Sequence, residues 1–493
     1  MRWELDWLEN RARLSPNKAA VIEEETNTVW TYTQLNGRAK TVANWLYERG
    51  VKKGDRIALL APNHISYFDL LFACGKIGAI FVPLNWRLSL HEIGGILQDC
   101  TPKYIGVHQQ FNEIYQQLPL EKPDPIFIDI WDYPECTPGP AVEIHETDPL
   151  AMIYTGGTTG KPKGVVLSHQ TILWNGINTI LSWGLTDQEV TVNYMPMFHT
   201  GGLNALCIPI LMMGGTVVIG EGFTGEKAAQ SINRYQCTVI LLVPTMHHML
   251  VQTEDFKNCQ FPSMKVFLSG GAPCPIQIYE AYRRKGLAFK EGYGLTEAGP
   301  NNFYITPEEA QLKRGSVGKP MLFNAIRLVK SDGHPAGPNE VGELLISGKH
   351  GFSHYWNNEK ATNETIQNGW ISTGDLAKSD EQGFHYIVGR KKDMIISGGE
   401  NIYPLEIEHW LAAHPAVNEV AVVGLPDEKW GEIVSAFLVL KNTSIQDEEL
   451  KAYCEAKLGR YKIPKLFIRL EELPKTHVGK IDKKALKEMQ NQR

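Results

Sequence analysis

Tyr154-Thr-Gly-Gly-Thr-Thr-Gly-Lys-Pro-Lys-Gly164 is the stretch from which the fold can be read. Apolar runs of strand character flank it, Leu150 to Tyr154 before and Val165 to Leu167 after. Between them stand Gly156, Gly157 and Gly160, the hydroxyls of Thr155, Thr158 and Thr159, and the ammonium groups of Lys161 and Lys163. Glycines let successive backbone N–H groups line one concave turn, and such a turn holds anionic oxygen. The stretch reads as a polyphosphate grip carried between two buried strands.

The mononucleotide P-loop is the obvious competitor. It requires a glycine, four residues, then Gly-Lys-Ser/Thr opening a helix. Here Thr155 stands where the first glycine should be, Pro162 replaces the metal-binding hydroxyl, and the residues that follow are β-branched and continue as a strand. A glycine turn that binds nothing is the bland alternative. Two lysines and three threonines in one turn argue against it.

At 493 residues the chain has room for two to four folding units. A net charge of −6 argues against a general nucleic-acid binder, so basic chemistry must be local. Eight cysteines stand without Cys-x-x-Cys pairs, which suggests neither a zinc site nor a disulfide framework and fits a reducing cytoplasm. The first ten residues mix charges with apolar residues, unlike a signal peptide. The longest apolar stretch, Leu203 to Ile219, is interrupted by Asn204, Pro209, Gly214 and Gly215, so no membrane span is expected.

Working outward, helical and strand patterns alternate. A helix capped by Thr33 and ended by Gly50 precedes the strand Ile57 to Leu60; a second helix starts at Pro62, and Ile80 to Pro83 is the next strand. Further strands are expected over Val190 to Met195, Thr216 to Ile219 and Thr238 to Val243. Continuous apolar strands alternating with helices predict an α/β body of stacked, mostly parallel sheets with flanking helices. After Arg390 the remaining residues have the size of a small α+β domain. The boundaries expected are 1–389, a hinge at 390–392, and 393–493.

Several junctions carry candidate chemistry. His199, in Pro196-Met-Phe-His-Thr-Gly-Gly202, follows a strand end and is either a site residue or a packed ring. Ser269-Gly-Gly-Ala-Pro273 is small enough for a flat ring to lie on its backbone. In Glu291-Gly-Tyr-Gly-Leu-Thr-Glu297, Tyr293 offers an aromatic face, Thr296 a hydroxyl and Glu297 a hard oxygen ligand. Asp375 could accept two ribose hydroxyls, with Arg390 donating to the same sugar. Lys480, after Gly479, reads in isolation as a surface amine.

Taken together and in this order, these motifs resemble the adenylate-forming superfamily, which includes acyl-CoA synthetases, luciferases and the adenylation domains of peptide synthetases. One departure is visible: Gly156 stands where that signature usually has serine. The resemblance implies an AMP-forming acid–thiol ligase using ATP, Mg2+ and coenzyme A. It assigns the phosphates to Thr155, Gly156, Gly157, Thr158, Thr159 and Lys163. Adenine falls to Gly270, Gly271, Ala272 and Pro273 with Tyr293 and Gly294, magnesium to Glu297 beside Thr296, and ribose to Asp375 and Arg390. It further implies His199 beside the acyl carboxylate, a hinge at Lys392, the pantetheine path at Gly398 and Gly399, and Lys480 as the adenylation lysine.

The acid pocket is expected from 174–183, His199 to Leu203, Ser269 to Gly271 and Gly294 to Phe303. These pieces bring Trp183, Met195, Phe303 and Tyr304 but no evident charge. An apolar monocarboxylic acid follows, a medium- or long-chain fatty acid ahead of an aryl acid, with Asn301 and Asn302 free to bond a ring oxygen. A free-standing adenylation enzyme that loads a carrier protein is the alternative acceptor reading.

Overall fold

The apolar runs on either side of the glycine turn pair as an antiparallel hairpin, Pro149–Thr155 with Lys163–Ser168, in a register that sets Thr155 opposite Lys163 and Ile153 opposite Val165. The computed structural model describes residues 3–118, 125–129, 139, 142–156, 162–441, 445–476 and 481–491. Gly157, Thr158, Thr159, Gly160 and Lys161 lie outside the described residues, as does Lys480.

The hairpin belongs to a seven-stranded sheet ordered His354–Tyr355, Lys163–Ser168, Pro149–Thr155, Ile80–Pro83, Arg56–Leu60, Tyr104–Val107, Pro125–Phe127. Pairings beyond the hairpin on its Pro149–Thr155 side are parallel. Ile57 to Leu60 and Ile80 to Val82 are at most 2% exposed. Both faces of these strands are covered, which is why their sequences are continuously apolar rather than alternating. Each fully buried aliphatic side chain contributes about 1.5–3 kcal/mol.

A second layer runs Thr28–Thr31, Ala19–Glu23, Thr216–Ile219, Val190–Asn193, then Val239–Leu242, Val266–Ser269 and Phe289–Glu291. The two pieces meet where the Thr238 N–H donates to the Val190 carbonyl at 2.8 Å. Its strands are parallel apart from the Thr28–Thr31 edge.

The third sheet was not foreseen in the sequence. It is antiparallel, with strands Phe303–Tyr304, Ser316–Pro320, His385–Arg390, Trp370–Ser379, Gly342–Gly348 and Asn324–Val329 in that order. Burial alternates along Gly342–Gly348, as expected for strands covered on one face. The chain then makes a turn at Lys391–Asp393 and enters a separate sheet of Ile395–Ser397, Glu400–Ile402, Val417–Asp427, Gly431–Leu440 and Leu466–Arg469. This small unit has its own core, including Ile407, Leu411, Val422, Leu438 and Leu450.

Two helix starts differ from expectation. The helix expected to be capped by Thr33, Tyr32–Glu48, is capped by Thr31 instead. A capping box needs a Glu or Gln three residues after the cap, and only Thr31 has one: Gln34 donates its N–H to Thr31 at 3.2 Å and accepts the Thr31 N–H at 2.8 Å. The next helix begins at Ser66, four residues after Pro62. Asn63 is spent on bridging layers: its amide donates to the Met195 carbonyl at 3.0 Å and accepts from the Met197 N–H at 2.9 Å. The same bridge explains why the strand Val190–Asn193 stops short of Met195.

Candidate active site

The described end of the phosphate hairpin is held by an edge strand of two residues. His354–Tyr355 pairs antiparallel with Val166 and Val165, and the Trp356 N–H donates to the Gly164 carbonyl at 2.7 Å. This seats the Tyr355 ring under Lys163, whose Nζ lies 4.9 Å from the ring centroid. The Tyr355 hydroxyl donates to Glu297 Oε1 at 2.9 Å, and the Phe352 N–H donates to the Glu297 carbonyl at 2.8 Å. Burial, then the Glu297 charge, push the tyrosine hydroxyl up from its ordinary range, so it stays a donor. Glu297 Oε2 has no hydrogen-bond partner among the described residues. A single half-buried carboxylate with one open oxygen, beside a lysine and buried Thr296, suits a divalent cation that arrives with phosphate oxygens and water.

Tyr293 and Gly294 lie in a loop that folds back on itself. Leu295 N–H donates to Gly299 at 3.1 Å, and Asn302 N–H donates to Tyr293 at 3.1 Å. A Cβ on Gly294 would stand 2.1 Å from the Pro300 carbonyl carbon and oxygen, so only glycine closes this loop. The Gly292 N–H donates to Ser269 at 2.8 Å, bringing the Ser269–Pro273 loop alongside, with Gly271, Ala272 and Pro273 exposed.

The ribose candidates converge. Asp375 is buried, lies opposite Arg390 in the third sheet, and receives Arg390 Nε on Oδ1 at 2.6 Å. Tyr293 donates its hydroxyl to Asp375 Oδ2 at 2.5 Å. Tyr293 therefore anchors that carboxylate as well as offering its ring, a role the sequence did not reveal. Its ring is half-buried and meets Phe303 edge-on at 5.9 Å.

His199 caps the short helix Thr200–Leu203: its Nδ1 accepts the Gly201 N–H at 3.1 Å. In the neutral ring the proton then sits on Nε2. The helix His169–Trp183 packs beside 301–304, with Asn301 donating to Thr179 at 3.0 Å and Trp183 Nε1 to the Phe303 carbonyl at 3.4 Å. One expectation is corrected here. Asn301 also donates to the Ala205 carbonyl at 2.8 Å, while Asn302 donates to Gly299 at 2.9 Å and accepts from His350 at 3.0 Å. Burial pushes the His350 ring down to about 4, so it is a neutral donor. The Asn301 amino group and both ends of the Asn302 amide are thus committed to the protein.

A buried charge stands beside two of the rings expected in the acid pocket. Lys290 is 5% exposed, and its Nζ stands 4.8 Å from the Trp183 ring and 4.3 Å from the Tyr304 ring. Sequence reading missed it because it sits in a strand outside every motif. The alternation in Phe289-Lys290-Glu291 was the available signal, since a strand turns Lys290 away from Glu291. Glu291 was missed too. It accepts from the Tyr279 hydroxyl at 2.5 Å and the Cys274 N–H at 2.9 Å, and burial pushes it up to about 7.

In the small unit Lys392 is exposed within the Lys391–Asp393 turn, and Lys391 pairs with Glu343 of the third sheet at 2.7 Å. Gly398 and Gly399 have φ of +61° and +88°. A Cβ on Gly398 would come 2.8 Å from the Trp430 ring, whereas one on Gly399 would meet nothing within 4 Å.

The AMP-binding enzyme family matches residues 8–356, and the AMP-binding enzyme C-terminal domain matches 406–480. A feruloyl-CoA synthase from an Amycolatopsis species is 37% identical over 96% of this chain and 96% of its own. A long-chain-fatty-acid–CoA ligase from Mycobacterium tuberculosis is 35% identical over 98% of this chain and 97% of its own. An o-succinylbenzoate coenzyme A synthetase from Bacillus subtilis, solved with ATP and a magnesium ion, superposes with a TM-score of 0.87 at 34% identity, covering 97% of this chain and 98% of its own. No described helix is long and apolar enough to cross a membrane. The chain belongs to the AMP-binding enzyme family of the adenylate-forming superfamily, and is an AMP-forming acid–thiol ligase.

Proposed function

We propose that this enzyme joins an aryl or arylalkyl monocarboxylic acid to coenzyme A at the expense of ATP. The observation that carries the acid class is the pair of planar side chains Trp183 and Tyr304, with the buried Lys290 ammonium against both rings. Planar side chains favour stacking of a planar acid. A long alkyl chain would lie against a charge that offers it nothing. The similarity to a feruloyl-CoA synthase and an o-succinylbenzoate synthetase supports this reading, and the similarity to a long-chain-fatty-acid ligase supports the fatty acid as runner-up.

The chemistry divides into two steps. Carboxylate oxygen attacks the α-phosphorus of ATP, the bond to the bridging oxygen breaks, and pyrophosphate departs with the electron pair. The thiol then attacks the acyl carbonyl, AMP leaves, and the thiol proton goes to solvent or a basic group. No protein nucleophile is needed; the protein aligns two anions and offsets their charge. Lys163 and Thr155 would hold the departing phosphates with 156–159, Asp375 and Arg390 the ribose, and the Gly271–Pro273 backbone the adenine. Glu297 would hold the magnesium ion, which when bound neutralises phosphate charge. Lys480 would bridge the carboxylate and ATP. Rotation about Lys392 would then bring Gly398 and Gly399 to the site for the thiol. We place the domain boundary at this turn, and the enzyme in the cytoplasm on the strength of its scattered cysteines.

The test is pyrophosphate release with CoA across ferulate, cinnamate, indoleacetate, octanoate and palmitate. Aryl acids should give kcat/KM about tenfold or more above either fatty acid, the scale on which pocket contacts discriminate. A preference for palmitate or octanoate would replace the aryl reading with the fatty-acid one. Replacing CoA by a holo carrier protein tests the acceptor.

A further inference from the structure

Lys290 is a buried cation that takes no part in the two chemical steps just outlined. It lies on the strand Phe289–Glu291, opposite Leu268 and two residues before Gly292, so its Cα is roughly 7 Å back along the strand from the loop that seats the nucleotide. Its 5% exposure places the ammonium among Trp183 and Tyr304, with no hydrogen bond or ion pair to a described residue. The adjacent carboxylate does not serve it. Glu291 faces the other side of the sheet, where Tyr279 and Cys274 occupy it.

A lysine carries three donors and no acceptor, and aromatic faces satisfy charge but not those directed N–H bonds. Burial accordingly pushes the Lys290 amine down to about 8, with no carboxylate opposing the shift. A purely structural role would be served by methionine or leucine, which fill the same space without desolvating a charge. What the arrangement lacks is an oxygen acceptor between the two rings.

We infer that Lys290 is a specificity-determining residue that donates to an oxygen substituent at the end of the acid remote from the reacting carboxylate, such as a ring hydroxyl or methoxy group. The assignment rests on the aryl reading above and narrows it to oxygen-bearing aryl acids. The carboxylate to be activated points toward the nucleotide and the far substituent meets the ammonium. A site that hydrogen-bonds such a group discriminates strongly against the analogue lacking it, because the buried donor is then left unpaired.

The experiment compares wild type with Lys290→Met and Lys290→Gln, using pyrophosphate release with ferulate, 4-hydroxycinnamate, unsubstituted cinnamate and octanoate. For Lys290→Met, kcat/KM with the two oxygenated acids should fall about tenfold to a hundredfold, carried mainly in KM. With cinnamate and octanoate it should hold or rise. Lys290→Gln retains a donor and should lie between, and its Tm shows whether either loss is one of folding. An equal effect on all four acids, or none, overturns the assignment. The aryl reading is judged separately, on the wild-type ratio of cinnamate to octanoate, which no Lys290 variant enters.

Discussion

The hydroxyl of Tyr355 donates to Glu297 Oε1 at 2.9 Å while the same tyrosine ring lies 4.9 Å beneath Lys163 Nζ. One side chain thereby ties the lysine of the phosphate hairpin to the carboxylate offered to magnesium. The two are 134 residues apart in sequence and are brought together by a two-residue edge strand. With its first oxygen fixed, Glu297 presents the second in one direction, so that less ordering remains for the cation to impose.

Tyr355→Phe isolates that hydrogen bond, since the ring and its cation contact remain. A hydrogen bond to a charged group is worth about 1.5–3 kcal/mol. Pyrophosphate exchange should therefore need about tenfold more magnesium for half-maximal rate, with Tm little changed. Nucleotide binding measured with Mn2+ in place of Mg2+ should weaken in parallel. An unchanged metal requirement would mean that Glu297 needs no fixing or holds no metal.

Gly294→Ala should be far more damaging than its size suggests. The new methyl would meet the Pro300 backbone at 2.1 Å, and backbone cannot rotate away as a side chain can. The loop that carries Tyr293 and Thr296 would open, releasing the Tyr293–Asp375 contact. The expected result is loss of pyrophosphate exchange by at least about 10²-fold with a lowered Tm. Gly399→Ala, where a Cβ meets nothing within 4 Å, should cost only the left-handed backbone strain of about 1–2 kcal/mol. If Gly294→Ala and Gly399→Ala behaved alike in the adenylation step, packing at Pro300 would not be what requires glycine.

What could be read from sequence was local and what could not was relational. The two strands flanking the glycine turn declared themselves because both are apolar and the turn residues are contiguous; their antiparallel pairing did not. The parallel strands did so through uninterrupted runs such as Ile57 to Leu60. The antiparallel third sheet went unread because its strands alternate and are spread from Phe303 to Arg390, with long-range pairings that no window captures. Asp375 and Arg390 were read as sharing one sugar, but their ion pair depends on strand register. Tyr355, Lys290 and Glu291 act through partners distant in sequence, and only the alternation in Phe289-Lys290-Glu291 hints locally at two of them. Asn301 and Asn302 went the other way: as exposed polar residues they would be ligand donors, and only the contacts of Asn301 with Thr179 and Ala205 and of Asn302 with Gly299 and His350 show that their donors are occupied.

Lys480→Ala follows from the sequence motif, since the lysine lies outside the described residues. Removing a cation that bridges two anions in the transition state should slow adenylate formation by about 10²–10³-fold. Thioester formation from a supplied acyl adenylate should continue at close to the wild-type rate. If both half-reactions ran normally, Lys480 would be an ordinary surface amine.

The buried Glu291 carboxyl gives the fold a pH dependence whose sign is fixed. Burial raises it from 4.5 to about 7, while the unfolded chain keeps the ordinary carboxylate value. Between those limits the native state holds a proton that the unfolded state has released. The contribution is fully present below pH 4.5 and is lost as pH rises through 7, a change on the order of 3 kcal/mol. Glu291→Gln keeps the shape, can still accept from the Cys274 N–H, and cannot ionise. Raising the pH from 5 to 7.5 should thus lower the Tm of wild type relative to the variant, the difference closing at pH 5. Because Glu291 tethers Cys274 beside the Ser269–Pro273 loop, adenine affinity in the variant should lose whatever pH dependence it has over the same window. Parallel Tm-versus-pH curves for the two proteins would show that Glu291 does not titrate there and is held ionised by Tyr279 and the Cys274 N–H.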